Sequence, residues 1–588
     1  MKLSDYIAEF LVKHGIRHVF VVSGGAAVHM IDSIARHPKI SYICTQHEQA
    51  AGTAADGYAR VSDNLGAVMV TSGPGPTNLV TAVVNSYYDS VPVILLCGQV
   101  ATFRIKQSRS LRQKGFQETD IVSIFKSITK YTAQIRDPDK IRYELEKSVF
   151  LAKSDRKGPV VLDIPDDLQR AEIEPRKLIS FRPDKLPMYK KINNQVKKML
   201  KMIKNSRRPL VIMGAGVHLA GVRQEAVEFL EKFRLPAVFT WGGKDLLPSS
   251  HPLNMGGIGV SGPRCGNFTA QTSDLVIAIG TRLSQLITGG KQNLFAPGAS
   301  KIMVDIDEEE LDKFTKNEFL PDLKIHTDLP SFFDSLTSQG LTLRGSLRGW
   351  EQWLSQIRLW RDKYPICPPE YYERKNLVNP YVFVKELSRM VRAGAIIFGD
   401  TGANLAWTMQ TWEVKRGQRI ISAWNHTPMG YSLPASIGGA VASNKDVICL
   451  TGDGGLMMTL AELATVVRNK LPIKIFIFNN HCHGIQKQTI DTWLDSRYNA
   501  CDEKTGLSFP DFIKVGKTFN LQTLSIVKHS EINAKIKKVL KANGPVLCNV
   551  EVIKDQKIVP YLKFGAGLED LDPKIPKEEL MEVMRARS

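Results

Sequence analysis

Two apolar runs, residues 446–450 and 473–478, flank a stretch in which Leu460, Leu463, Ala464 and Val467 recur at helical spacing. Continuous apolar strands around an amphipathic helix describe a β-α-β unit, whose two strands run parallel. A parallel sheet needs helices on both faces, so this stretch commits much of the chain to a layered α/β fold. It also fixes where chemistry can sit. Gly452-Asp453-Gly454-Gly455 follows the first strand and Asn479-Asn480 ends the second, so Asp453 and Asn480 are expected together at the carboxyl edge of the sheet. The glycines are expected to turn the backbone tightly before a helix whose free N–H groups face that edge.

A carboxylate, an amide oxygen and a diphosphate are the hard oxygen donors that octahedral Mg²⁺ takes, with a carbonyl and water completing the shell. The pair therefore reads as a Mg²⁺-diphosphate site. Neighbouring His481-Cys482-His483 has the composition of a zinc cluster, but adjacent residues of an extended chain point to alternate sides and no further ligand group follows at the usual spacing. The GDG-to-NN pattern resembles the thiamine-diphosphate motif, in which Asp453, Asn480 and Cys482 would hold the metal and Gly452, Gly454 and Gly455 would approach the cofactor.

Residues 1–170 alternate helix and strand. Ser4 is placed to cap a first helix that carries Tyr6, Phe10 and Leu11 inward and ends at Gly15; His18–Val22 reads as a strand and Gly24-Gly25 as a turn. Glu48 then opens a helix of small residues, 50–55, against which another element could pack closely; an acid in a first helical turn has a structural use in its own right. Its company is more specific. His47-Glu48-Gln49, Asp56-Gly57-Tyr58-Ala59-Arg60, Thr71-Ser72-Gly73-Pro74-Gly75-Pro76-Thr77-Asn78, Asp89-Ser90-Val91-Pro92 and Phe116-Gln117-Glu118-Thr119 resemble the pyrimidine-binding domain of the acetohydroxyacid synthase group of thiamine-diphosphate enzymes.

The resemblance covers nearly the whole chain and implies three doubly wound parallel-sheet domains: pyrimidine-binding (1–170), central FAD-binding-type (190–335) and diphosphate/Mg-binding (377–555), with a tail at 556–588. It assigns Glu48 to protonating the cofactor's aminopyrimidine, Gly25, Gln117 and Met429 to the reaction centre, and Asn78, the Thr427 carbonyl and Met429 to the cofactor, Met429 as the wedge that bends it. FAD, largely structural in that group, is implied in the middle domain at Arg156, Gly214, Gly216, Arg282, Asp305 and Asp328. From the residues alone a nicotinamide fingerprint fails, because Leu219 stands where the third glycine of GxGxxG belongs. Because Glu48 and the Asp453/Asn480 pair meet across subunits in the group, a homodimer or homotetramer with interfacial active sites is implied.

Pyruvate is the implied donor. The acceptor is where the sequence departs: the group reads G-M-V-x-Q-W after this glycine, whereas Gly484-Ile485-Gln486-Lys487-Gln488 is followed here by Thr489. A smaller side chain and the Phe564-to-Asp570 tail bring the pattern nearest to FAD-containing acetyl-branching sugar carboligases of the yersiniose type. A ketone acceptor such as a CDP-4-keto-dideoxyhexose is expected, with acetolactate formation from two pyruvates as the alternative. The formal charge of +19 suits an anionic substrate; the basic residues are scattered, not interleaved with aromatics, and do not suggest nucleic acid. Eight cysteines without a CxxC pair, no apolar run of membrane-spanning length and no apolar leader suggest a cytoplasmic protein.

Overall fold

Parallel pairing organises the whole chain in the computed structural model, which describes all residues except 109, 184–188, 190–191, 340–349, 374–375 and 587–588. The first sheet contains β1 (His18–Val22), β2 (Ser41–Cys44), β3 (Gly66–Val70), β4 (Val93–Gln99), β5 (Tyr131–Gln134) and β6 (Val160–Pro165), in the order β2-β1-β3-β4-β6-β5. The second contains β7 (Pro209–Met213), β8 (Ala237–Phe239), β9 (Asn254–Gly257), β10 (Leu275–Ile279), β11 (Ser300–Asp305) and β12 (Leu323–His326), in the order β12-β11-β10-β7-β8-β9. The third contains β13 (Ile396–Gly399), β14 (Arg419–Ile421), β15 (Val447–Gly452), β16 (Ile473–Asn479), β17 (Gln522–Ile526) and β18 (Val546–Glu551), and repeats the order of the first: β14-β13-β15-β16-β18-β17. The named strands pair in parallel, and β3, β4, β6, β7, β10 and β16 are buried along their full length, as helices on both faces require.

The middle sheet has the strand order of doubly wound dinucleotide-binding folds, reversing between β7 and β10. Leu219 argues against the nicotinamide fingerprint, but the topology does not depend on that motif.

Small residues bring the first and third sheets together. The helix Glu48–Ser62 packs against Ser432–Ser443 so closely that a Cβ on Gly438 would lie 1.8 Å from the Ala54 carbonyl oxygen, and one on Gly57 would lie 2.2 Å from that of Ala435. The close-packing surface expected at 50–55 thus has its partner. Beside it, buried Arg60 bonds Asp56 and Asp89, each at 2.7 Å. Tyr431 donates its hydroxyl to Asp56 at 2.7 Å, and the backbone N–H groups of Trp424 and Asn425 donate to Asp89.

The expected Ser4 cap is corrected. The first helix, Leu3–Lys13, begins behind Lys2 without a side-chain cap, and the Ser4 hydroxyl faces inward to accept from Ser33 at 2.9 Å. Gly15 follows that helix at φ 77°. The scattered basic residues include those from Lys190 to Lys204, of which 190–191 lie outside the described residues; the helix there is Asn193–Asn205. All eight cysteines are free, and no helix among the described residues is long and apolar enough to cross a membrane.

Candidate functional site

The register of the third sheet sets Gly452 opposite Phe478, so Asp453 and Asn480 leave neighbouring strands side by side. Asp453 is almost fully buried. Its Oδ1 accepts from the Gly454 N–H at 2.7 Å, and its Oδ2 accepts from the N–H groups of Asn480 (3.1 Å) and His481 (2.7 Å). Burial pushes its carboxyl up to about 6, with those three N–H groups pulling the other way.

The Asn480 amide fits in two ways. With nitrogen inward it donates to Asp453 Oδ2 (3.2 Å) and to the Cys482 carbonyl (2.7 Å); with oxygen inward it completes a trio of oxygens that a cation reconciles. Carboxylate, amide oxygen and carbonyl form a donor set that suits Mg²⁺. Among the described residues no group of three or more His, Cys, Asp or Glu is placed to hold a metal, and burial pushes the Cys482 thiol up to about 12.

The glycines work differently from the expectation. The helix starts at Asp453 itself, and Gly452, Gly454 and Gly455 all keep negative φ. They are needed for clearance: a Cβ on Gly454 would meet the His483 ring at 2.7 Å and the Met429 methyl at 3.1 Å, and one on Gly455 would meet Asp400 at 3.0 Å. The expected single helix is two, Asp453–Met458 and Glu462–Arg468. The first is too short to contribute much of a dipole.

Met429 and the Thr427 carbonyl stand on the loop before Ser432–Ser443, with Met429 reaching the same turn as Gly454. Thr427 has φ 50°, rare for a β-branched residue and retained only where the surroundings enforce it. The end of the same loop is anchored by Asp400, which sequence reading missed. Its buried carboxylate accepts from the N–H groups of Thr401 (2.8 Å), Gly430 (2.9 Å) and Ser432 (3.2 Å) and from the Ser432 hydroxyl (2.8 Å).

A second cluster lies at the carboxyl edge of the first sheet. Glu48 is the first residue of its helix, 9% exposed, and its Oε2 accepts from the Asn78 side chain at 2.9 Å. Glu462 of the third domain clasps the turn before it, accepting from the N–H groups of Gln46 (2.9 Å) and His47 (3.1 Å). Gly25 opens a short 3-10 turn and has free space where a Cβ would project; the next residue, Ala26, donates its N–H to Thr71 Oγ1. Gln117, at φ 63°, rests on Gly73. Glu118 ties the loop before it, accepting from the N–H groups of Lys106, Lys114 and Gly115. So Glu48, Asn78, Gly25 and Gln117 share one edge, and Asp453, Asn480, Cys482, Thr427 and Met429 another. Among the described residues no hydrogen bond joins the two sets.

A cavity of about 860 Å³ opens at the reversal point of the middle sheet. Arg156, Gly216, Arg282, Asp305 and Asp328 line it together with Tyr88, Trp241 and Trp424. Gly214 lies behind it, where a Cβ would strike the Gly280 carbonyl at 2.5 Å. Its size, aromatic walls and glycine floor fit a dinucleotide. Several of its polar groups already have partners: Arg156 pairs with Asp307 (2.7 Å) and Glu310 (3.1 Å), Arg282 with Glu310 (2.6 Å), and Asp328 caps a helix through the Ser331 N–H. Burial pushes Asp305 up to about 6.

Comparison with known proteins follows the same three-part division. Residues 1–124 match the N-terminal TPP-binding domain of thiamine pyrophosphate enzymes, 196–336 their central domain and 400–550 their C-terminal TPP-binding domain. A protein named probable acetolactate synthase large subunit in Methanocaldococcus jannaschii is 32% identical, over 100% of this chain and 99% of its own length. The acetolactate synthase large subunit of Cyanidium caldarium is 31% identical over 95% of this chain and 94% of its own. Acetolactate synthase 1, chloroplastic, of Zea mays is 31% identical over 97% and 88%.

Proposed function

The chain belongs to the thiamine pyrophosphate enzyme family, and from that premise we propose that it is a pyruvate-decarboxylating carboligase whose acceptor is a bulky ketone such as a CDP-4-keto-dideoxyhexose. It is an acetolactate synthase-like, thiamine-diphosphate-dependent enzyme. When bound, the cofactor would supply the carbon nucleophile and electron sink needed to release CO₂ from pyruvate and pass the two-carbon unit to the acceptor carbonyl.

The chain's own residues do the rest. Asp453, Asn480 and the Cys482 carbonyl would hold Mg²⁺. Met429, half-buried against Gly454, would pack against the cofactor, and the Thr427 carbonyl, on the loop that Asp400 anchors through the Gly430 N–H, would accept from its amino group. Glu48 would hold a proton at the pyrimidine nitrogen, and Asn78 keeps one of the carboxylate oxygens in place. Gly25 leaves room over the reacting atoms and Gln117 lines them. The two clusters open on separate edges of one chain, which supports a site completed by a second copy, in a homodimer or a pair of dimers. Mixing Glu48→Gln with Asp453→Ala protein tests this: partial recovery of activity is expected from hybrid dimers, and none from independent monomers. FAD fits the middle cavity, with Arg156, Gly214, Gly216, Arg282, Asp305 and Asp328 around it; flavin absorbance in the purified protein is the check.

The observation that carries the acceptor is Thr489, which lies exposed on the helix Gly484–Trp493 with its hydroxyl turned back to the Ile485 carbonyl at 3.0 Å. A small side chain there leaves space that the second ketoacid does not need. The named relatives favour the second reading, acetolactate formation from two pyruvates. Incubation with pyruvate alone and with pyruvate plus the nucleotide-activated ketone separates them: a branched sugar with little acetolactate is expected, and rapid acetolactate formation indifferent to the ketone supports the alternative.

A further inference from the structure

Beyond Thr489 the same helix carries a second unusual residue. Ile485, Thr489 and Trp493 recur every four positions and share a face, and Trp493 is 58% exposed, a large solvent contact for an indole. Its ring is not loose. The Lys563 ammonium lies 4.6 Å from the ring centroid, which fixes one face and leaves the other open. Lys563 and exposed Phe564 belong to the tail, pinned to the middle domain where Leu562 donates to the Val260 carbonyl (2.8 Å) and Gly565 to that of Gly289 (3.2 Å). Lys291 stands on the far side of this turn, its Cε 3.8 Å from where a Gly565 Cβ would be.

Several lysines of the third domain and the tail are held by carboxylates. Lys487 pairs with Asp555, Lys557 with Asp491, Lys554 with Asp502 and Lys574 with Asp570. Among the described residues neither Lys563 nor Lys291 forms an ion pair. An aromatic face with one unpaired ammonium against it and a second unpaired lysine across the adjoining turn is complementary to a flat base joined to a diphosphate. The position suits that too. The helix starts at Gly484, whose Cβ would sit 2.8 Å from the Asn480 amide, and Trp493 lies about 14 Å further along the axis. That is of the order of the reach from a hexose ketone across a diphosphate to a base.

We propose that Trp493, Lys563 and Lys291 form the docking platform for the nucleoside diphosphate of the acceptor, the base stacking on the open indole face and the lysines meeting the diphosphate. The proposal rests on the nucleotide-activated ketone reading above, and binding and turnover together tell the two apart. Calorimetric titration of cytidine 5′-diphosphate into the full-length protein loaded with thiamine diphosphate and Mg²⁺ should show binding that Trp493→Ala weakens about tenfold or more and Trp493→Phe largely restores. Lys563→Gln/Lys291→Gln should also weaken it and flatten its salt dependence, while CO₂ release from pyruvate alone stays as in the wild type. In turnover, Trp493→Ala should raise KM for the nucleotide-activated ketone with kcat kept. Absence of binding to wild type, or equal binding by Trp493→Ala and the lysine double variant, overturns the platform. Turnover of the nucleotide-activated ketone with an unchanged KM in Trp493→Ala also overturns it and leaves the acceptor reading standing. Binding through these residues without any such turnover supports the platform and removes the acceptor reading.

Discussion

The side-chain amide of Asn78 donates to Glu48 Oε2 at 2.9 Å, so one oxygen of this largely buried carboxylate is held and the other is left for a ligand. Glu48→Gln keeps the shape and removes the acid. CO₂ release from pyruvate should fall by about 10²- to 10⁴-fold while thiamine diphosphate still binds. Asn78→Ala, which loosens the carboxylate without removing it, should cost less. Turnover by Glu48→Gln at the wild-type rate would remove the proton-holding role.

Removing Asp453 takes away the only charged member of the oxygen trio. Asp453→Ala should weaken retention of thiamine diphosphate and Mg²⁺ by at least about 10- to 100-fold, measured by equilibrium dialysis after chelator treatment. The pH dependence has a definite sign. Burial pushes this carboxyl up to about 6, and Mg²⁺ needs it ionised. Half-saturation by Mg²⁺ should therefore be flat above about pH 7 and rise roughly tenfold per unit once the pH is below about 6. A half-saturation constant that does not change between pH 7 and 5 would place the metal elsewhere.

The contact between the helices Glu48–Ser62 and Ser432–Ser443 leaves no room for a methyl group: a Cβ on Gly438 would lie 1.8 Å from the Ala54 carbonyl oxygen. Gly438→Ala has to push the helices apart and disturb the neighbouring Arg60–Asp56 pair. A loss of about 1–3 kcal/mol or more is expected, read as a fall in Tm by circular dichroism. At Gly25, where a Cβ meets nothing within 4 Å, Ala should leave Tm nearly unchanged.

What the sequence made legible follows distance along the chain. Asp453 and Asn480 could be placed together because the strands that carry them flank one helix, and the register delivers them side by side. The glycines around Asp453 were recognised for the wrong reason: tight turns are a local property, whereas the clearance they provide is toward Met429, His483 and Asp400, which only folding brings near. Asp400 and Glu462 escaped notice altogether. Each acts on backbone N–H groups of a distant segment, Gly430 and Gln46 respectively, and a backbone donor leaves no mark in the sequence. The doubly wound order of the middle sheet was expected from the resemblance even though Leu219 spoils the nicotinamide fingerprint, because strand order depends on which strands pair and not on one turn.

Asp245 offers a test of how the middle and third domains are held together. Its Oδ1 lies 2.6 Å from His218 Nε2, and its Oδ2 accepts from the Ile420 N–H at 2.9 Å with the Arg419 guanidinium at 3.5 Å. Arg223 braces the same turn through the Asp245 and Leu246 carbonyls, and Lys244 adjoins it. Burial pushes this carboxyl up, but the His218 ring, Arg419 and the Ile420 N–H outweigh it and hold it at about 2, below the ordinary 3.8. A depressed folded value means stability that is present above about pH 4 and lost as the pH falls toward 2. The difference amounts to about 2 kcal/mol. Asp245→Asn should therefore unfold at a lower Tm than the wild type near pH 7, with the gap closing between about pH 4 and pH 2 as the wild-type carboxyl takes up its proton. A gap that stays constant down to pH 2 would mean that Asp245 contributes only the shape of its hydrogen bonds, not its charge.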